Sequence, residues 1–203
     1  MRHPNRSHHT VRIIAGRLRG SRLQVAERAG LRPTPDRVRE TVFNWLAPWI
    51  EGARCLDLFA GTGALGIEAL SRGAAQCTFL ETAPDLVRAL RDNLARLQVD
   101  HAEVVQCDAL AWLARPGEAV DVAFVDPPFA RELWNPVLHA LDQGHWLRGG
   151  AFVHVEAPAT LALTPPPNWQ VHREGRAGAV RFVLYRRAAA DPPSRGAAGL
   201  GPA

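Results

Sequence analysis

Lysine is absent: all 24 basic residues are arginine. Methionine and tyrosine occur once each, and cysteine three times in 203 residues. Cys55, Cys77 and Cys107 stand far apart in apolar runs, which argues against a zinc ligand set and favours buried reduced thiols over a disulfide framework. The eight histidines show no ligand spacing, and no serine or cysteine sits in a nucleophile motif. Neither a metal centre nor covalent catalysis is therefore expected. No run reaches the ~18 apolar residues that a membrane-spanning helix needs. The first ten residues lack an apolar segment and do not read as a signal peptide. A cytoplasmic protein without membrane contact is the expectation.

An apolar content of 47% and a charged content of 22% are those of a globular chain, and the length suits one domain with its own core. The charge is unevenly spread. Residues 1–40 hold ten arginines against Glu27, Asp36 and Glu40, a net +7, so the remaining 163 residues carry −3. A basic arm on a slightly acidic body suggests a polyanionic partner.

The stretch from Arg54 to Gly66, R-C-L-D-L-F-A-G-T-G-A-L-G, organises the rest. Cys55, Leu56, Leu58 and Phe59 form a short apolar run suited to a buried parallel strand, and Ala60, Gly61 and Gly63 then lead into a helix at Ala64. Such a turn lets backbone pass close to a ligand, with helix N-terminal amides facing it. Gly61-x-Gly63-x-x-Gly66 also fits the dinucleotide fingerprint, so spacing alone leaves NAD and S-adenosylmethionine both open. Asp57 favours the second, because a carboxylate there repels a pyrophosphate but not an ammonium or a sulfonium.

Residues 1–10 are expected to be a disordered tail, and 11–50 a basic hairpin and helix. Apolar Val11, Ile13, Leu23 and Val25 alternate with Arg12, Arg22 and Gln24 around a Gly16–Gly20 turn that carries Arg17 and Arg19. One face then becomes a guanidinium ladder suited to phosphate oxygens. In L-R-P-T-P-D-R-V-R-E from Leu31, Thr34 is the expected N-cap and Pro35 the first helical residue. Val38, Val42, Trp45, Leu46 and Trp49 are the expected core stripe, leaving Arg37 and Arg39 off it.

From residue 51 to 187 strands and helices alternate, as in a doubly wound α/β sheet. Expected strands are Arg54–Phe59, Gln76–Glu81, Glu103–Cys107, Asp121–Val125 and Gly150–Val155. Expected helices run from Ala64 to Ser71, Pro84 to Gln98 and Arg131 to Gly144. Trp169–Glu174 and Val180–Arg187 read as a closing antiparallel pair, and 188–203 as a disordered tail.

Ligands of open parallel sheets lie at the carboxyl ends of the strands. Glu81 ends the second strand, where a carboxylate can accept two ribose hydroxyls, and Asp108 follows the third, placed for an adenine amino group. The fourth ends in Asp126-Pro127-Pro128-Phe129. Two prolines lock the chain into a rigid turn. The Asp126 carboxylate and a proline carbonyl can then accept both protons of one exocyclic amine, leaving its lone pair aimed at an activated methyl. Phe129 offers a face for the base.

This turn resembles the (Asp/Asn)-Pro-Pro-aromatic signature of amino-group methyltransferases that use S-adenosylmethionine. From Arg12 to Arg187 the chain resembles the RsmD family, bacterial enzymes that methylate the N2 amine of one guanine in small-subunit (16S) ribosomal RNA. The segments that carry the likeness are R-I-I-A-G-R-L-R-G from Arg12, L-R-P-T-P-D-R-V-R-E-T-V-F-N-W-L from Leu31, D-L-F-A-G-T-G-A-L-G-I-E-A-L-S-R-G-A from Asp57, F-V-D-P-P-F from Phe124 and H-R-E-G-R-A-G from His172.

The resemblance implies a Rossmann-like methyltransferase fold, with a mostly parallel seven-stranded sheet, a C-terminal antiparallel hairpin and a small N-terminal hairpin extension. It implies that Asp57, Phe59, Ala60, Gly61, Thr62, Gly63, Glu81 and Asp108 hold S-adenosylmethionine, and that Asp126 to Phe129 form the catalytic turn. It further implies that Arg12, Arg17, Arg19, Arg22, Arg32, Thr34, Arg37 and Arg39 face ribosomal RNA, in an assembling small (30S) subunit, with the enzyme a monomer. Ala83 departs from the polar residue that the family often shows at this place. Two alternatives stay open on the residues alone: amino-methylation of DNA adenine or cytosine, and a non-catalytic RNA-binding assembly factor.

Overall fold

A short polar-and-apolar alternation makes the first strand pair. The computed structural model describes residues 10–25 and 35–189. Thr10–Arg12 (β1) pairs antiparallel with Arg22–Gln24 (β2), so Thr10 belongs to the hairpin and not to a tail. Val11, Ile13, Leu23 and Val25 are buried while Arg12 and Arg22 sit outward and directly opposite one another.

Asp36–Leu46 (α1) follows. Pro35 stands one position before the helix, with an extended ψ of 143°, instead of in its first turn. Thr34 and Arg32 lie outside the described residues, as do 1–9 and 190–203. The buried stripe of α1 is Val38, Arg39, Val42, Phe43 and Leu46, rotated from the expected one. Phe43 reaches Phe124 at 5.9 Å. Trp45 is half-buried against Phe182, and Trp49 falls in the turn after the helix, where it lies against Phe152 with His172 on its edge.

Alternation of buried strands and helices then follows. Arg54–Asp57 (β3), Ala64–Ser71 (α2), Gln76–Glu81 (β4), Pro84–Arg96 (α3), Ala102–Gln106 (β5), Ala109–Leu113 (α4), Val120–Val125 (β6), Trp134–Gln143 (α5), Leu147–Pro158 (β7), Trp169–Ala177 (β8) and Val180–Arg187 (β9) complete the chain. The short α4 has no amphipathic repeat long enough to be read from sequence. In α5, Pro136 falls in the first turn, where its missing amide costs nothing. Cys55 and Cys77 are buried, whereas Cys107 is half-exposed; all three are free.

The sheet order is β5-β4-β3-β6-β7-β9-β8. The first five strands in that order are parallel, and β9 runs antiparallel between β7 and β8. One face carries the hairpin and α1 to α3, and the other α4 and α5, giving two apolar layers. Strand order reverses at β3, which opens a crevice between its carboxyl end and that of β6.

The hairpin is bolted to the end of α2. Ser71 donates its hydroxyl to Ala15 O at 2.5 Å and accepts from Leu18 N at 2.9 Å, while its carbonyl accepts from Arg17 N at 2.7 Å. Gly16 has φ +80°, and a Cβ there would sit 1.8 Å from Ser71 O. Gly20 has φ +85° with nothing within 4 Å of the added atom. Gly16→Ala is therefore expected to cost well over ~1 kcal/mol and to undock the hairpin, whereas Gly20→Ala costs only about 1 kcal/mol of backbone strain. Thermal midpoints of the two variants, with proteolysis of the hairpin, check the difference.

Candidate functional site

Five neighbouring strands each deliver one carboxylate to the same edge. In spatial order they are Asp108 after β5, Glu81 at the end of β4, Asp57 at the end of β3, Asp126 after β6 and Glu156 near the end of β7. Asp57 is buried, and its Oδ2 accepts the amide of Gly66 at 3.2 Å, so it clamps the start of α2. Burial pushes its pKa up to about 7, with Glu81 adding to the rise and the Gly66 and Phe59 amides opposing it.

Glu81 is the keystone of the loop. Its Oε2 accepts Gly61 N at 3.0 Å, and its Oε1 accepts Thr82 N at 2.8 Å and Ala83 N at 2.9 Å. Ala83 thus takes part through its backbone, which any residue supplies. Asp108 Oδ1 caps α4 by accepting Leu110 N and Ala111 N at 3.0 and 3.1 Å.

Gly61 and Gly63 adopt φ +51° and +77°. The reason for Gly63 differs from the expected one. A Cβ there would meet Leu90 Cδ1 at 2.4 Å, so the close approach is to α3. Likewise, at Gly66 it would meet the Phe79 ring at 2.2 Å, which is helix-on-strand packing. Ala60 and Thr62 are buried in the same loop, and Phe59 is half-buried.

At the catalytic-turn candidate, Pro127 is buried and Pro128 exposed, and Phe129 leaves 47% of its surface open. The Phe129 ring contacts Trp134 edge-on at 5.7 Å. Trp134 is in turn fixed by donating Nε1–H to Glu156 O at 2.6 Å. Asp126 is partly exposed, yet its pKa is raised well above the usual carboxylate range, first by desolvation and then by Glu156 and Asp57. Glu156 is not among the expected site residues because the expected fifth strand stops at Val155, whereas β7 runs to Pro158. The alternation Phe152, His154, Glu156 was the available signal.

The basic arm divides in two. Arg12, Arg17, Arg19, Arg22 and Arg37 are exposed. Arg12 and Arg19, with Arg72, Glu40 and Asn44, line a cavity of about 380 Å³ between the hairpin and α1. Arg39 does not belong with them. It is fully buried, donating Nη2–H to Arg12 O at 2.8 Å and to Asp36 Oδ1 at 2.6 Å, and its Nη1 lies 3.9 Å from Glu68 Oε2. Glu68, also fully buried, accepts Ile14 N at 2.8 Å, Ala15 N at 3.0 Å and Arg72 Nε at 2.7 Å. A residue expected to face RNA is in fact a strut that joins Asp36 and the Arg12 carbonyl beside the buried Glu68. Asn93 of α3 mimics a strand edge, accepting Gln24 N and donating to Gln24 O at 3.0 Å each.

Strand order, glycine loop and acidic edge define a Rossmann-like methyltransferase. A family described as Conserved hypothetical protein 95 matches residues 11–186. Ribosomal RNA small subunit methyltransferase D of Escherichia coli (strain K12) is 48% identical over 191 residues, 93% of this chain and 96% of that protein. Its Haemophilus influenzae counterpart is 43% identical over 180 residues, 87% and 93% of the two chains. Among solved structures, Escherichia coli yhhF superposes with a TM-score of 0.83 at 47% identity, covering 90% of this chain and 100% of its own. The chain belongs to the ribosomal RNA small subunit methyltransferase D family.

Arg39→Ala empties a fully buried site and leaves the Arg12 carbonyl without its donor. It is expected to destabilise the fold by about 2–4 kcal/mol, whereas Arg37→Ala stays within ~0.5 kcal/mol. Denaturant unfolding of both variants measures the gap.

Proposed function

We propose that this protein transfers a methyl group from S-adenosylmethionine to the N2 amine of one guanine in small-subunit ribosomal RNA, within an assembling particle. The observation that carries the reading is the rigid Asp126-Pro127-Pro128-Phe129 turn set beside the acidic edge, with an open aromatic face. The family supports it, since relatives at 48% and 43% identity bear the name ribosomal RNA small subunit methyltransferase D.

The donor set fits the cofactor. Asp57, Glu81 and Asp108 supply acceptors and no cation at the three strand ends beside the loop, which suits a ligand with an ammonium, ribose hydroxyls and an adenine amine. When bound, S-adenosylmethionine brings an activated methyl carbon and its own leaving group. Phe129 stacks the base, while Asp126 and a proline carbonyl accept the two amine protons and orient the nitrogen. Positioning of this kind supplies much of the rate, and the methylated nitrogen then sheds its proton. Asp126 is an orienting acceptor in this scheme. Arg12, Arg17, Arg19, Arg22 and Arg37 grip phosphates by charge, outside the site of methyl transfer.

Labelled methyl donor with small subunits from a strain lacking the enzyme, followed by mapping of the nucleoside, tests the reaction. N2-methylguanine in the RNA is expected; label in duplex DNA, or none, overturns the reading. Asp126→Ala is expected to lose ~100-fold or more in incorporation while binding RNA normally. Arg17→Ala and Arg19→Ala are expected to weaken RNA binding and each to reduce its salt dependence by about one ion.

Asp57 also predicts a pH dependence. Its folded pKa is raised, so stability present below the ordinary carboxylate range is lost as pH rises through about 7 in the unliganded protein. An ammonium beside it favours the ionised form. Affinity for S-adenosylmethionine should therefore weaken by up to ~10-fold per unit as pH falls below 7, and Asp57→Asn should flatten that slope. Calorimetric titration from pH 6 to 8 reads both.

A further inference from the structure

Two carboxylates stand side by side where the base must enter. Val125 of β6 is in register with Val155 of β7, so Asp126 and Glu156 are the next pair along two parallel strands. Phe124 and His154, the pair before, lie on the face covered by α1 to α3, and the alternation of side chains returns Asp126 and Glu156 to it. Val122, Phe124, Phe152, Phe182 and Leu184 supply the apolar part of that face. Glu156 is 4% exposed and held in place, with His154 Nε2 3.2 Å from its Oε1 and Phe182 paired beside it on β9. The charge of Glu156 adds to the desolvation that raises the Asp126 pKa, in keeping with that register.

Resting on the proposed function, we infer that Glu156 is the residue that selects guanine, accepting the N1–H of the base while Asp126 accepts from the adjacent N2 amine. The argument is one of donor patterns. Adenine carries its amine beside an accepting N1, and cytosine carries its amine beside an accepting N3. Only guanine places a second donor, N1–H, next to the amine. A pair of neighbouring acceptors therefore matches the guanine edge and sets lone pair against lone pair with either other base. A flipped base is read along this edge, and a buried group left facing the wrong partner costs heavily. The phosphate grip of the basic arm carries no such information.

The test uses the full-length enzyme and small subunits reconstituted with the mapped target as guanine or as 2-aminopurine. The latter keeps the amine but has an accepting N1. Wild type is expected to prefer guanine by ~100-fold or more in kcat/KM. Glu156→Gln removes the charge and one of the two accepting oxygens and should shrink that ratio, and Glu156→Ala should bring it near parity. S-adenosylmethionine affinity and thermal midpoint report on folding, and the ratio is internal to each variant, so general damage cancels. If N2-methylguanine forms but the ratio is the same in wild type and both variants, the inference fails and the proposed function stands. If the wild-type product is another nucleoside, both fail.

Discussion

Glu68 sits at zero exposure in the helix that starts from the glycine loop, and its two oxygens receive amides from Ile14 and Ala15 and a guanidinium from Arg72. A buried carboxylate is tolerable only when such partners replace the water it lost. The consequence is mechanical. The basic hairpin cannot detach from α2 without stranding that charge, and Arg39 ties α1 into the same knot through Asp36 and the carbonyl of Arg12. Whatever the arginines of the arm hold is thereby indexed to the loop that begins at Gly61. Interlocking of this sort converts a peripheral extension into part of the rigid body, so the arm and the glycine loop share one lattice of hydrogen bonds.

A second theme is the division of charge. Carboxylates gather along the carboxyl ends of five adjacent strands, whereas exposed arginines line the hairpin. Most of the acids have structural duties as well: Asp57 clamps α2, Glu81 staples the loop and Asp108 caps α4. Burial first, and neighbouring carboxylates after it, impose a penalty on the charged forms of Asp57 and Asp126. Positive or proton-donating ligands relieve it. The edge is thus tuned toward its ligands by the same interactions that would otherwise weaken the fold.

Much of the plan was legible in the residues. Alternation of apolar strands and helices gave the parallel sheet, because periodicity survives in sequence wherever one face is buried. The Asp-Pro-Pro-Phe turn was legible because proline restricts backbone irrespective of context. What was hidden depends on contacts between distant segments. Arg39 was expected to face RNA, since the carbonyl of Arg12 and the Glu68 carboxylate that enclose it come from other segments. Trp49 was expected in the core because it keeps the spacing of the stripe, although Pro48 marks the helix end before it. Gly63 was assigned to ligand approach, while the space that it and Gly66 vacate belongs to Leu90 and Phe79. Glu156 needed the length of β7, which is set by its pairing with β9 and not by its own composition.

Strand β9 lies inside the sheet although it is the last strand among the described residues, with β7 on one side and β8 on the other. A chain emerging from its N-terminus therefore completes seven strands and shows the outer rim of β7, from Phe152 to Pro158, as an open hydrogen-bonding ladder. That rim is apolar in Phe152, Val153, Val155 and Ala157, the composition that invites pairing with a stranger. Closure awaits the final residues of the hairpin, so synthesis has a vulnerable interval that ends only when Val180–Arg187 slides into its seat.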